Sequence, residues 1–119
     1  MQRVIVTRYG PPEVLQLEEA ETPEPDNGEV LVRVARAGIN FADLLARMGL
    51  YPGVPKPPFV PGYEVAGTVV SVGSGVDDIV VGDRIVAGRS YGGYATHVVA
   101  PKATVSQLPD SVSFDAAAA

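Results

Sequence analysis

Glu29-Val30-Leu31-Val32-Arg33-Val34-Ala35-Arg36-Ala37 is the stretch on which the fold turns. Val30, Val32 and Val34 alternate with Glu29 and Arg33, and a period of two sends the β-branched side chains to one buried face and leaves the other face wetter. Working outward, Val65 to Val72 reads as a second and more fully apolar strand, while Arg3 to Thr7, Val14 to Leu17, Arg84 to Ala87 and Tyr94 to Ala100 carry the same β-branched bias more weakly. Thirteen glycines and eleven prolines punctuate these runs at irregular spacing, as in a twisted sheet or barrel with many turns. The expected fold is mainly β with short helices, six strands surrounding one core as a barrel or partly open barrel.

Between the two strongest strands lies the one internal segment with a helical period. Phe41, Leu44, Leu45 and Met48 fall at i, i+3, i+4 and i+7 and are expected to share a face. Asn40 sits at the N-cap position, Asp43 at the third helical position where a carboxylate favours the free amides, and Gly49 where a helix can end. The following YPGVPKPPFVPG, residues 51–62, holds five prolines; these fix φ and remove amide donors, which predicts a stiff, extended surface loop anchored by Phe59 and Val60. At the other end, Ser113 followed by Phe114-Asp115-Ala116-Ala117-Ala118 reads as an N-cap and strong helix formers, either a fraying tail or the first turn of a longer helix.

The totals narrow the function classes. With 119 residues, residues 1–119 form one domain. A hydrophobic fraction of 46% against 19% charged is that of a folded globular chain. The net charge of −5 and the scattering of nine basic residues provide no footprint for phosphates, so nucleic acid is not an expected partner. The absence of cysteine removes disulfides and thiolate metal sites, and the first ten residues lack the apolar run of a signal peptide. A cytoplasmic protein without a membrane span is the expectation.

Tests for specific chemistry are mostly negative. Gly73-Ser74-Gly75-Val76-Asp77-Asp78 lacks the third glycine of a dinucleotide loop, and its aspartates would repel phosphate, so it reads as a tight turn. His97 is the single imidazole and has no Cys or second His to complete a zinc site; a half-buried His donating to a nearby carbonyl is expected. Neither Asp77-Asp78 nor Glu18, Glu19 and Glu21 has the spacing of a calcium loop. What remains is a polar and aromatic group flanking the helix and the proline-rich loop: Asn40, Asp43, Tyr51, Tyr63 and Glu64. These residues either cap a helix and satisfy local carbonyls or face a cleft.

The same segments, in order, carry a resemblance. Ala37-Gly38-Ile39-Asn40-Phe41-Ala42-Asp43, Pro61-Gly62-Tyr63-Glu64-Val65-Ala66-Gly67, Val81-Gly82-Asp83-Arg84-Ile85, Tyr91-Gly92-Gly93-Tyr94-Ala95 and Leu108-Pro109 with Phe114-Asp115-Ala116-Ala117-Ala118 together resemble the N-terminal GroES-like domain of the medium-chain dehydrogenase/reductase superfamily, in its zinc-free quinone oxidoreductase branch. Asn40 to Arg47 with Gly49-Leu50-Tyr51 is especially similar to the VAT-1-like subgroup.

The resemblance implies a GroES-like partly open β-barrel on the substrate side of an enzyme, with a Rossmann domain following Ala119. Where the zinc-dependent relatives place a cysteine and a histidine on the metal, this sequence has Asn40 and Tyr63. The four-cysteine lobe that would follow the Gly82-Asp83-Arg84 turn is missing. The implied reaction is transfer of hydride from NADPH, bound mainly by the other domain, to a quinone or enone without metal, with Asn40, Tyr51 and Tyr63 as catalytic hydrogen-bond donors and Asn40 and Asp43 beside the cofactor. A full-length homodimer is expected, and the domain alone is expected to be inactive. Two other readings fit the resemblance: an enoyl-thioester reductase, and a non-catalytic VAT-1-like membrane-associated or scaffold protein.

Overall fold

The strand that the valine alternation marks is an interior one, paired with a neighbour on each side. A computed structural model describes residues 1–119. β1 (Gln2–Val6) pairs antiparallel with β2 (Leu15–Glu19), and β3 (Glu29–Ala37), β4 (Glu64–Val72), β5 (Arg84–Gly88), β6 (His97–Pro101) and β7 (Val105–Gln107) form a second antiparallel sheet in the order β6-β3-β4-β5-β7. Register shifts in the β3–β4 ladder, between Leu31 and Val32 and between Val34 and Arg36, add local twist. The sheet curls into the partly open barrel of a GroES-like domain. β1 closes onto the segment preceding β6, where Val4 N–H donates to the Tyr94 carbonyl at 2.8 Å and Thr96 N–H to that of Gln2 at 2.8 Å.

Two cores, not one, hold these elements. Val30, Val32, Val65, Val69, Ile85 and Val98 are among the ten buried residues inside the five-stranded sheet. Val6, Val14, Ala46 and Phe59 form a second cluster where β1, the helix α1 (Phe41–Arg47) and the proline-rich loop meet. The division follows from pairing: β1 and β2 hydrogen-bond only to each other as a ladder, so their apolar face needs its own cover.

Four expectations are corrected in detail. The proline-rich segment is a series of turns and bends, not an extended run; Pro58 is exposed and Phe59 is buried as an anchor should be, but Pro61 and Gly62 are buried with it. Phe59 exchanges backbone hydrogen bonds with Val6 at 2.8 and 3.2 Å, which draws the loop inward. The apolar stripe of α1 faces outward, Phe41 being 72% exposed and Met48 42%, while Ala46 and Asp43 face in; the small side chain lets a seven-residue helix sit close against the second core. The strand expected from Tyr94 begins at His97, because Tyr94 N–H and Gly93 N–H bond to the Pro61 and Gly62 carbonyls. β7 is a seventh strand that the pattern did not mark.

The helix stops at Gly49 as expected, with φ +79° and its N–H bonded to the Ala46 carbonyl at 3.1 Å. The C-terminal turn α2 (Phe114–Ala117) has the expected cap, Ser113 Oγ accepting from Ala116 N–H at 3.1 Å. It does not fray. Arg84 donates to the Val112 carbonyl at 2.7 Å and stacks 4.5 Å from the Phe114 ring centroid, and Arg36 pairs with Asp115 at 2.7 Å. Gly73-Ser74-Gly75 is the tight turn expected at the end of β4, with Ser74 accepting from Gly28 N–H at 2.8 Å.

Candidate active site

Asp43 is the hub from which the site is built. It occupies the third position of α1 and is 5% exposed, yet its carboxylate has three donors. Oδ2 accepts from Asn40 N–H at 2.9 Å and from the Tyr94 hydroxyl at 3.0 Å, and Oδ1 accepts from Gly62 N–H at 3.0 Å. A buried carboxylate is tolerable only with such satisfaction. These bonds pin the helix start, the exit of the proline-rich loop and the strip before β6 to one another.

Glycine makes that junction possible. Gly62 has φ +111°, and a Cβ there would lie 2.8 Å from Gly93 Cα and from Tyr94 N. Only a residue without Cβ lets the two backbones meet. Gly38 is similarly closed in, by the Glu64 carboxylate and by the Ala118 carbonyl 2.5 Å from where a Cβ would stand.

With Asp43 holding its backbone, Asn40 presents its amide nitrogen toward Glu64. It stands at the N-cap position, as expected, in a capping box with Asp43, whose carboxylate accepts from Asn40 N–H. Its Nδ2 approaches Glu64 Oε1 at 3.4 Å. Asn40 and Glu64 line a concavity of about 460 Å³ together with Gly38, Ile39 and Ala118. One amide N–H points toward Glu64, and a second remains for a ligand oxygen.

Tyr63 and Tyr51 stand as an edge-to-face pair with ring centroids 6.0 Å apart and planes at 83°. The Tyr63 hydroxyl is buried and has no hydrogen-bond partner. Burial raises the pKa of this phenol, and Tyr51 and Asp43 add to the rise. Burial beside the Asp43 carboxylate likewise raises that of Tyr94.

All five residues singled out from the sequence thus belong to one connected region: Asn40 bonds to Asp43 and approaches Glu64, Asp43 bonds to the residue before Tyr63, and Tyr63 packs on Tyr51. Tyr94 is the member the sequence did not single out as a site residue; its signal was the paired glycines before it, which allow the approach to Gly62. His97 stands apart, on β6, and its Nδ1 meets Thr96 Oγ1 at 3.1 Å rather than the expected carbonyl. No group of three or more His, Cys, Asp or Glu residues is arranged to hold a metal ion. An amide and a neutral phenol near one carboxylate do not form a zinc-binding donor set. No helix is long and apolar enough to cross a membrane.

Comparison with known proteins agrees with this architecture. The model of the family "Alcohol dehydrogenase GroES-like domain" matches residues 26–110. The "Synaptic vesicle membrane protein VAT-1 homolog-like" of Mus musculus is 39% identical over 119 residues, which is 100% of this chain and 28% of that protein. A "Quinone oxidoreductase" of Salmonella typhimurium is 45% identical over 123 residues, covering 98% of this chain and 36% of the relative. The crystal structure of Escherichia coli quinone oxidoreductase complexed with NADPH superimposes with a TM-score of 0.94 at 39% identity, over 99% of this chain and 36% of that one. The chain therefore spans well under half the length of the relatives it matches.

Proposed function

The chain belongs to the alcohol dehydrogenase GroES-like domain family, and from that membership we propose that it is the substrate-side domain of an NADPH-dependent, zinc-free quinone oxidoreductase, completed by a Rossmann domain after Ala119. The observation that carries this reading is the Asn40 side chain: from the helix start it reaches Glu64 and lines an open concavity beside it. The relatives named as quinone oxidoreductases, one of them complexed with NADPH, supply the reaction class and the cofactor.

NADPH, when bound, supplies the hydride. Reduction of a quinone or enone builds negative charge on the acceptor's carbonyl oxygen, and that charge needs preorganised donors. The second Asn40 amide N–H is one, and Glu64 holds the amide in the orientation that offers it. The unpartnered Tyr63 hydroxyl is another, in a buried setting where a donor acts strongly. Tyr51 fixes the Tyr63 ring by edge contact and is the third donor of the proposal. Asp43 is fully engaged by protein donors, so its part is positioning Asn40 and Gly62 beside the cofactor's nicotinamide rather than touching it. Ile39 and Phe41, 77% and 72% exposed, provide the apolar face against which the nicotinamide and acceptor rings are sheltered from water.

The test is steady-state kinetics of the full-length protein with quinones and with enoyl thioesters, using NADPH and NADH in turn. Quinone turnover with NADPH, lowered about 10- to 100-fold in Asn40→Ala at unchanged NADPH affinity, is the expected result. Preference for the thioester would make the enzyme an enoyl reductase. Absence of turnover on either acceptor would favour the non-catalytic VAT-1-like reading. The 119-residue domain assayed alone is expected to show no NADPH-dependent turnover.

A further inference from the structure

We propose that the concavity between β1, the proline-rich loop and β6 is a binding site for a small organic carboxylate with an apolar body. It measures about 410 Å³, within the range of small-molecule sites, and shares no lining residue with the concavity at Asn40. Phe59, Val60 and Val99 contribute apolar surface, while Arg3, Arg89, His97 and Tyr91 contribute its charged and polar side chains; no carboxylate lines it. In a chain of net charge −5 this is a local inversion of sign.

Each polar group has a donor to offer. Arg3 uses Nε on Glu18 Oε1 at 2.6 Å, and its two terminal nitrogens have no protein partner. Arg89 is fixed by its Nε to the Tyr91 carbonyl at 3.0 Å and by one terminal nitrogen to the Val99 carbonyl, leaving the other terminal nitrogen free. Thr96 Oγ1 accepts from Gln2 N–H at 3.1 Å and lies 3.1 Å from His97 Nδ1; with the hydroxyl proton directed at Nδ1, the ring proton is on Nε2. Burial and the nearby positive charges of the N-terminal amine and Arg33 lower the His97 pKa and favour the neutral ring. Two guanidinium groups and an N–H donor around apolar walls match a carboxylate at one end of an apolar chain.

The experiment is calorimetric titration of the protein, with its natural flanking sequence, against octanoate, octanol and octylammonium. Octanoate should bind saturably, at least about tenfold more tightly than octanol, and octylammonium should not bind. Arg3→Gln and His97→Gln should each weaken octanoate by about three- to tenfold, with circular dichroism confirming that both variants are folded, while Asn40→Ala should leave its affinity unchanged. Equal affinity for octanol, no saturable octanoate binding, or indifference to both pocket substitutions would overturn the site. Loss of binding in Asn40→Ala would move the ligand to the other concavity and overturn it equally.

Discussion

The Tyr94 hydroxyl donates to Asp43 Oδ2 at 3.0 Å across 51 positions of sequence. Through this bond the strip before β6 is tied to the start of α1, and the same carboxylate holds the Gly62 amide between them.

Removing the carboxylate should therefore loosen three segments at once. Asp43→Ala strands a buried backbone N–H and a phenol, and should lower unfolding free energy by about 2–4 kcal/mol in urea titrations. Tyr94→Phe removes one donor and should cost about 1 kcal/mol. The two losses should be non-additive, and simple additivity in the double variant would mean that the hydroxyl and carboxylate are not coupled.

Of the five tyrosines, Tyr94 and Tyr63 have phenol pKa values raised in the folded state. A raised folded value contributes stability that is fully present below the unfolded pKa of about 10 and is lost as pH rises toward the folded one. Spectrophotometric alkaline titration should show two phenols ionising late, accompanied by falling stability above about pH 10. Tyr94→Phe should remove the larger late component; an unchanged titration would contradict the assignment.

His97 behaves with the opposite sign. Burial, followed by the N-terminal amine and Arg33, lowers its pKa, so its contribution is present above the unfolded value of about 6.5 and lost as pH falls from there through the folded value. As the single histidine, it gives one unambiguous set of imidazole resonances. Its NMR titration midpoint should lie below about 6.5 and move upward in Arg33→Gln.

Gly38→Ala should act at a distance from its own backbone. The new Cβ would press on the Glu64 carboxylate and on the Ala118 carbonyl, displacing the partner of Asn40 and the seat of α2 together. A loss of about 1–3 kcal/mol is expected, with faster amide exchange at Ala117 and Ala118. Unchanged protection there would show that α2 does not depend on this approach.

The strands were legible because Val30, Val32, Val65 and Val69 belong to a sheet whose period of two is visible in the residues themselves. The C-terminal cap was legible for the same local reason. The orientation of α1 was not: Phe41, Leu44 and Met48 have the spacing of a buried stripe, but the helix turns Ala46 and the carboxylate of Asp43 inward, where long-range partners await them. Hydrophobic spacing cannot register a donor contributed 51 positions away. For the site, composition and motif placement identified Asn40, Asp43, Tyr51, Tyr63 and Glu64 as a group, whereas Tyr94 became visible only when the glycine contact between Gly62 and Gly93 was known. β7, with three residues, is too short for its alternation to be distinguished from a loop.

The Arg89 contact with the Val99 carbonyl has one more consequence. Thr96 directs its carbonyl toward β3, accepting from Val34 N–H, and alternation along the strand turns that of Val99 to the unpaired border of the sheet. β6 is a terminal strand, and an exposed terminal strand is a template on which other molecules can add their own. The guanidinium occupies one of the acceptors such an intruder would use, so the side chain of Arg89 caps this border of the sheet at Val99.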